Sequence, residues 1–275
     1  MEIKHEYYIN VNIIEIELYK HIKGGNVMNN LNYEKTMPII NGNVIDINEK
    51  GITVNQLIPI EVKDKEFNML MEIYEQANKQ VLSMINGVKI EYNKIFTQDI
   101  INHTSSRIKS PKSILNKMKK KNLEMNYENL VENINDIAGV RVVCPVKNDI
   151  YKIANIIKKI PNWNLIEEKD YVKNPKKSGY SGYHIIVEVP VKFDKLKNTK
   201  ISNGNNKKFY LKNQIFVKVE IQIRTMAMDF WATNEHKMKY KSEKKISFID
   251  SKKLTFYAKI INILDNKFEK ISSRQ

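Results

Sequence analysis

Apolar and polar residues alternate along the segment from Val219 to Arg224, which is the most informative pattern in the chain. Its period of two residues predicts a β-strand with one buried face. The apolar positions are Val219, Ile221 and Ile223, and the polar positions are Glu220, Gln222 and Arg224. A carboxylate and a guanidinium on one rigid face favour a site that binds a metal ion or phosphate. A solvent-exposed edge strand with incidental charges accounts for this pattern equally well.

Other periodic segments predict the remaining elements. Helical spacing extends from Asp64 to about His103, with Gly87 as a candidate interruption. Ser110 and Pro111 form a good cap and first position for a second helix. Further predicted strands are Ile137 to Val146, Trp163 to Glu167, His184 to Val191, and Phe209 to Thr225. Further predicted helices are one capped by Asn148, one from Met226 to Tyr240 and one from Leu254 to Ile271. On the second of these helices, Phe230 and Trp231 are expected to face the hydrophobic core.

Strands and helices alternate, which predicts an α+β fold with a mixed β-sheet flanked by helices. Residues 1–60 are rich in Asn and Ile and predict a poorly structured extension. Within it, Lys23-Gly24-Gly25 can be encoded by a ribosome-binding sequence before Met28, so residues 1–27 are a candidate leader outside the native chain. Residues 61–245 form the predicted domain, with a polar hairpin loop from Lys195 to Lys208. Residues 246–275 form a C-terminal helix that can serve in oligomerisation.

Composition limits the class of protein. The net charge of +15 comes almost entirely from lysine, which favours weak binding to polyanions such as RNA. The single Cys144 cannot form an internal disulfide, and no segment has the pattern of a signal peptide or a membrane span. We therefore expect a cytoplasmic protein that does not bind membranes. Arginine occurs only at positions 107, 141, 224 and 274, so each one inside the domain is informative.

Two clusters add chemistry to the polar strand face. Arg107, Lys109, Ser113 and Lys117 surround the predicted helix start, which attracts phosphate, although a solvated basic helix has the same composition. Asp136 and Arg141 flank or enter a buried strand, where charges are costly without partners.

Asp136 and Glu220 together suit Mg²⁺-assisted phosphoryl transfer, because Mg²⁺ prefers carboxylates combined with phosphate oxygens. No phosphate-binding loop of the G-x-x-x-x-G-K-[ST] type occurs in the sequence.

Four motifs, in this order, resemble the RelA/SpoT family of alarmone synthetases, and most closely its small single-domain members of the RelQ kind. They are Ser106-Arg107-Ile108-Lys109-Ser110-Pro111-Lys112-Ser113-Ile114, the segment from Asn135 to Cys144, the segment from Asp170 to Lys176 followed by Gly179-Tyr180 and His184, and the segment from Val219 to Lys241. The resemblance implies a nucleotidyltransferase-like synthetase fold. It also implies transfer of pyrophosphate from ATP to the ribose 3′-hydroxyl of GTP or GDP, and a homotetramer.

The resemblance implies a role for each matched position. Binding of ATP would involve Arg107 and Arg141 around adenine and Lys109, Ser113 and Lys117 at the phosphates. Mg²⁺ would be bound by Asp136 and Glu220. The catalytic residues would be Glu220, which draws the proton from the 3′-hydroxyl, Gln222, which positions it, and Arg224 beside the phosphates. The guanine nucleotide would contact Tyr180 by stacking, together with Lys176, His184 and Asp229.

The chain departs from the family at residues 179–184, which read Gly-Tyr-Ser-Gly-Tyr-His. The family usually has a basic or amide residue and then serine where this chain has Ser181 and Gly182. Two other hypotheses therefore remain at this stage. One is an RNA-binding or regulatory protein on the same fold with weakened catalysis, and the other is a pyrophosphokinase that uses a different nucleotide acceptor.

Overall fold

The computed structural model describes residues 46–48, 51–53, 65–192, 214–241 and 247–274. The strands are β1 (Asp46–Asn48), β2 (Gly51–Thr53), β3 (His103–Ile108), β4 (Ala138–Cys144), β5 (Asn164–Asp170), β6 (Tyr183–Lys192) and β7 (Gln214–Thr225). The helices are α1 (Lys65–Phe96), α2 (Pro111–Lys120), α3 (Tyr127–Asn133), α4 (Lys147–Ile157), α5 (Met226–Lys241) and α6 (Phe248–Ser272). Within these ranges, no helix is long and apolar enough to cross a membrane.

Five strands form one mixed sheet in the order β3-β4-β7-β6-β5. Strands β4 and β7 pair in parallel, and every other neighbouring pair is antiparallel. The short strands β1 and β2 pair with each other inside the predicted N-terminal extension. The mixed sheet flanked by helices confirms the predicted α+β fold.

The apolar face of β7 is fully buried, as the alternation predicts. Val219, Ile221 and Ile223 are each 0% exposed and lie in the main hydrophobic core. Helix α1 contributes Leu70, Tyr74, Ala77, Val81, Ile85 and Val88 to the same core. Burying one face of β7 in this way turns Glu220, Gln222 and Arg224 toward the opposite side of the sheet.

Helix starts follow local capping chemistry where a cap residue is present. Ser110 accepts a hydrogen bond from the Ser113 amide and Pro111 is the first residue of α2, as predicted. Helix α4 has Val146 at its N-cap without a side-chain hydrogen bond, so the prediction that Asn148 caps this helix was wrong.

Three further predictions differ from the structure. Gly87 does not interrupt α1, since the helix continues through it to Phe96. The helical spacing beyond Phe96 was misleading, since His103–Ile108 pairs with β4 as an edge strand. Phe230 is 68% exposed and is not a core residue, whereas Trp231 is buried as expected. Residues 1–27 and the loop from Lys195 to Lys208 lie outside the described residues.

Candidate active site

Strand register places the polar side chains in two rows across the sheet. Arg107, Gly139 and Glu220 are paired across β3, β4 and β7. The next row contains Ser105, Arg141, Gln222 and His184 across β3, β4, β7 and β6. Paired residues on neighbouring strands point to the same face of a sheet. Arg107, Arg141 and His184, which come from three separate motifs, therefore lie in the same rows as Glu220 and Gln222.

Glu220 is bound on both carboxylate oxygens. His184 donates from Nδ1 to Oε1 at 2.9 Å, and Gln222 donates from Nε2 to Oε2 at 2.8 Å. Burial alone would raise the pKa of Glu220, but the hydrogen bond and charge of His184 and the hydrogen bond of Gln222 outweigh it, so the pKa is lowered. The carboxylate is therefore ionised and fixed in orientation.

Asp136 lies near Glu220 and has two lysine partners. Lys109 Nζ is 2.9 Å from its Oδ2, and Lys117 Nζ is 2.7 Å from its Oδ1. Burial raises the pKa of Asp136, and the two ammonium groups lower it further than burial raises it. The negative charge of Asp136 in turn raises the pKa of Glu220 slightly against the other contributions, which shows that the two carboxylates share one electrostatic environment.

Asp229, in the first turn of α5, binds two arginines on a single oxygen. Arg224 Nη1 is 3.0 Å and Arg141 Nη1 is 3.1 Å from Asp229 Oδ1. Burial and the nearby positive charges of Arg224 and Arg107 lower the pKa of Arg141, while Asp229 acts in the opposite direction. Asp229 thus holds two of the three domain arginines side by side at the end of the sheet.

Tyr180 connects the loop before β6 to this arginine pair. Its hydroxyl accepts a hydrogen bond from Arg224 Nη2 at 2.8 Å and lies within hydrogen-bonding distance of His184 Nε2. Arg224 Nη2 also donates to Gln222 Oε1 at 2.7 Å. The contacts close a ring of side chains that contains Glu220, His184, Tyr180, Arg224 and Gln222.

The ring has a consistent set of donors and acceptors. His184 donates from Nδ1 to Glu220, and the Tyr180 hydroxyl accepts from Arg224. The contact between His184 Nε2 and the Tyr180 hydroxyl needs one hydrogen, which a protonated imidazole donates and a neutral one accepts. Each member therefore contacts two others, although the buried Nε of Arg224 has no hydrogen-bond partner among the described residues. Such closed networks hold side chains in one arrangement, which is what a preorganised site requires.

The remaining predicted site residues lie at the rim. Ser113 Oγ is 2.9 Å from Ser110 Oγ at the start of α2, so its amide and hydroxyl both face the helix N-terminus. Arg107 is exposed, and its side chain passes close to Gly139. Lys176 Nζ lies 4.5 Å from the ring centre of Tyr171 and 5.0 Å from that of Tyr180.

A family model described as a region found in RelA/SpoT proteins matches residues 106–245. This range contains every predicted site residue. The chain belongs to the RelA/SpoT family.

Individual relatives agree with that membership. The GTP pyrophosphokinase YwaC of Bacillus subtilis is 34% identical over 217 residues, covering 78% of this chain and 95% of the relative. The GTP pyrophosphokinase YjbM of the same organism is 29% identical over 178 residues, covering 65% of this chain and 75% of the relative.

The fold agrees as well. The crystal structure of small alarmone synthetase 1 from Bacillus subtilis bound to its product pppGpp has a TM-score of 0.66 and 27% identity, with coverage of 77% of this chain and 98% of that one.

The departure from the RelA/SpoT motif has a structural counterpart. Gly182 has a φ of +154°, and a Cβ there would lie 3.2 Å from Arg224 Cγ and 3.3 Å from the Tyr180 hydroxyl. Ser181 donates its hydroxyl to the Tyr171 carbonyl at 3.0 Å instead of facing the ring. Glycine thus allows the close approach of Arg224 and Tyr180, and the site is assembled despite the changed residues.

Asp136 and Glu220 can bind the divalent cation that the resemblance implies if the substrate supplies the remaining ligands. No group of three or more His, Cys, Asp or Glu residues able to hold a metal occurs in the described part of the chain. Asp136 and Glu220 offer hard oxygen ligands of the kind Mg²⁺ prefers, with phosphate oxygens completing its coordination. Both carboxylates have pKa values lowered by their neighbours, so both are ionised at neutral pH.

Tyr171 belongs to the site and was not predicted. Its ring packs edge-on against Tyr180 at 6.0 Å and against His184 at 5.4 Å. It is part of the segment that resembles the family, but one aromatic residue in a loop carries no sign of which side chains it will contact. Only the return of the chain through β6 brings it beside His184.

Proposed function

We propose that this chain is a GTP pyrophosphokinase that transfers the β,γ-pyrophosphate of ATP to the ribose 3′-hydroxyl of GTP or GDP. The products are (p)ppGpp and AMP. The observation that carries the proposal is the ionised Glu220, fixed between His184 and Gln222 and facing Asp136 with its two lysines. The alternative of an RNA-binding protein with weakened catalysis is not favoured, because the similar proteins of Bacillus subtilis are GTP pyrophosphokinases and the predicted catalytic side chains form one hydrogen-bonded network.

In the proposed reaction, the ribose O3′ attacks the β-phosphorus of ATP. A bond forms between O3′ and that phosphorus, and the bond from the β-phosphorus to the oxygen it shares with the α-phosphorus breaks, so AMP leaves with that oxygen. Glu220 orients the 3′-hydroxyl and accepts its proton. A carboxylate of low pKa suits a loose transition state, in which the proton is transferred late.

We assign the cations around the site to the triphosphate. Lys109 and Lys117, now paired with Asp136, would contact phosphate oxygens together with the Ser113 end of α2. Arg107 and Arg141 lie on adjacent strands, where we expect adenine to stack between them. Arg224, which Asp229 holds beside Arg141, offsets the negative charge that moves during transfer.

We expect Asp136 and Glu220 to bind Mg²⁺ together with the phosphates of the substrate. The ion would neutralise phosphate charge when bound. Because all four carboxylate oxygens now contact lysine, histidine or glutamine, those partners must give way to the ion or share the oxygens with it.

The acceptor nucleotide is assigned to the Tyr180 side of the site. Tyr180 is proposed to stack on guanine, with Lys176 at its edge. The predicted guanine contacts of His184 and Asp229 stay predictions, since His184 binds Glu220 and Asp229 binds the arginines in this structure.

A homotetramer is proposed on the basis of α6. Its exposed apolar residues are Phe248, Ile249, Phe256, Tyr257, Ile260, Ile263, Leu264, Phe268 and Ile271. An exposed apolar surface of this length favours contact with another protein chain. Mass measurement in solution tests the state, and a monomer at micromolar concentration would contradict it. The cytoplasmic location and weak RNA binding stay predictions from the sequence.

The direct test is incubation of the protein with ATP, Mg²⁺ and either GTP or GDP, followed by separation of the nucleotides. We expect AMP and a guanosine nucleotide carrying a 3′-pyrophosphate. A folded protein that binds ATP but forms no such product would contradict the proposal. Replacing the guanine nucleotide by adenine nucleotides in parallel identifies any other acceptor.

A further inference from the structure

A buried carboxylate of α6 contacts the end of the catalytic strand. Asp265 is 3% exposed, and its Oδ2 accepts a hydrogen bond from the Thr225 hydroxyl at 2.6 Å. Thr225 is itself 0% exposed and directly follows Arg224. The contact joins residues that are forty positions apart in the chain.

Thr225 also fixes the start of α5. Its hydroxyl oxygen accepts a hydrogen bond from the Met228 amide at 3.1 Å, as an N-cap residue does. Asp229 directly follows Met228 in this first turn and binds both Arg224 and Arg141. Since the Thr225 hydroxyl has one hydrogen, donating it to Asp265 leaves the oxygen lone pairs facing Met228.

We infer that Asp265 is a positioning residue for the transfer reaction, acting through Thr225 and the first turn of α5 to hold Asp229 and its two arginines in place. This inference rests on the proposed function. Asp265 is buried against Thr225 and is not among the residues assigned to a substrate. Asp265 acts through two hydrogen bonds and one helical turn. We therefore expect substitutions of Asp265 to change kcat more than the KM for either nucleotide.

Other contacts of α6 provide a matched control. Lys147 at the start of α4 donates to Asn266 at 2.6 Å, and the Asn148 amide donates to Glu269 at 3.0 Å. These contacts attach the same helix to α4 and do not touch Thr225. Loss of Asn266 therefore weakens docking of α6 without altering the α5 cap.

Charge at Asp265 distinguishes a positioning role from a role in stability. Burial raises the pKa of Asp265, and Glu269 adds to this, while the Thr225 hydrogen bond and Lys147 act in the opposite direction. A carboxyl whose pKa is raised on folding adds stability only at low pH and loses it as the pH rises through the folded pKa. At neutral pH, Asp265→Leu removes this unfavourable charge but leaves the buried Thr225 hydroxyl without its acceptor, so the melting temperature is measured for each variant and compared with kcat.

The experiment compares the Asp265→Leu, Asp265→Asn and Asn266→Ala variants with the unmodified protein. For Asp265→Leu we expect kcat to fall roughly 10- to 100-fold with KM values within about twofold, since a displacement of catalytic groups by about 1 Å costs about 100-fold. Asp265→Asn keeps an acceptor oxygen for Thr225 and is expected to retain most activity. Asn266→Ala is expected to behave like the unmodified protein. Solution mass is measured for each variant, so that a change in assembly is seen directly.

Hydrogen exchange of the Met228 amide provides a readout that does not depend on activity. We expect faster exchange in Asp265→Leu and unchanged exchange in Asn266→Ala. Equal loss of kcat in Asp265→Leu and Asn266→Ala, or unchanged kcat and Met228 exchange in Asp265→Leu, would overturn the inference. An unmodified protein that makes no product would contradict the proposed function, and Met228 exchange would still show whether Asp265 orders α5.

Discussion

His184 Nδ1 lies 2.9 Å from Glu220 Oε1, and this contact joins two strands that are separate motifs in the sequence. It couples the proposed base to the loop that carries Tyr180, because His184 also contacts the Tyr180 hydroxyl. The carboxylate that acts on the acceptor is thus oriented by the residues proposed to bind that acceptor. This arrangement gives a physical reason for chemistry to depend on occupation of the guanine side.

Substitution of Glu220 by glutamine is expected to abolish most turnover. The amide keeps the shape of the side chain but cannot accept the 3′-hydroxyl proton, and general bases of this kind contribute at least about 100-fold. Product formation is measured alongside the melting temperature. Glu168→Gln, which removes a carboxylate of the same sheet that pairs with Lys158, is the matched control. Activity of Glu220→Gln close to that of the unmodified protein would show that Glu220 is not the base for the 3′-hydroxyl.

The acidic limb of the pH profile is expected to report Glu220. Its pKa is lowered from the ordinary value of 4.5, so the ionised form and the stability it contributes persist above that value and are lost as the pH falls through the lowered pKa. Gln222→Leu removes one of the stabilising hydrogen bonds, and we expect the acidic limb of kcat/KM to move to higher pH. Gln80→Leu, at an exposed position of α1, controls for the loss of an amide. An unshifted acidic limb in Gln222→Leu would contradict the assignment.

Removal of either lysine that contacts Asp136 is expected to weaken ATP binding. Lys109→Met and Lys117→Met each remove a charge-assisted partner of Asp136 and of the proposed phosphates, with an expected rise in the KM for ATP of roughly tenfold. Lys119→Met removes an exposed charge from the same helix and should leave that KM unchanged. The KM for the guanine nucleotide is measured in the same assays. A rise in the KM for the guanine nucleotide alone would show that these lysines contact that nucleotide and not ATP, and would contradict the assignment.

Gly182→Ser tests the departure from the family motif. A Cβ at this position meets Arg224 and the Tyr180 hydroxyl closely and must adopt a φ of +154°, a conformation that costs side chains about 1–3 kcal/mol. We expect a higher KM for the guanine nucleotide with little change for ATP. Gly87→Ser, where nothing lies within 4 Å, controls for the added hydroxymethyl group. Unchanged guanine nucleotide kinetics would show that Gly182 does not shape the acceptor side.

The sequence predicted the strand face and the fold because both depend on local regularity. The alternation at Glu220, Gln222 and Arg224 predicts which residues share a face, and the structure confirms this prediction. The alternation could not predict that Asp229 binds Arg141 and Arg224, because that contact depends on how α5 begins after β7. Asp265 was hidden for the same reason, since an acidic residue in an amphipathic helix is normally exposed.

The most direct measurement follows two labels of ATP in separate reactions with GTP and Mg²⁺. With phosphorus-32 in either the β- or the γ-position, we predict that the label moves to the guanosine product in both reactions and that AMP forms in equal amount. Transfer of the γ-label alone, with ADP as the second product, would contradict pyrophosphate transfer and with it the roles assigned to Glu220, Asp136 and the arginines.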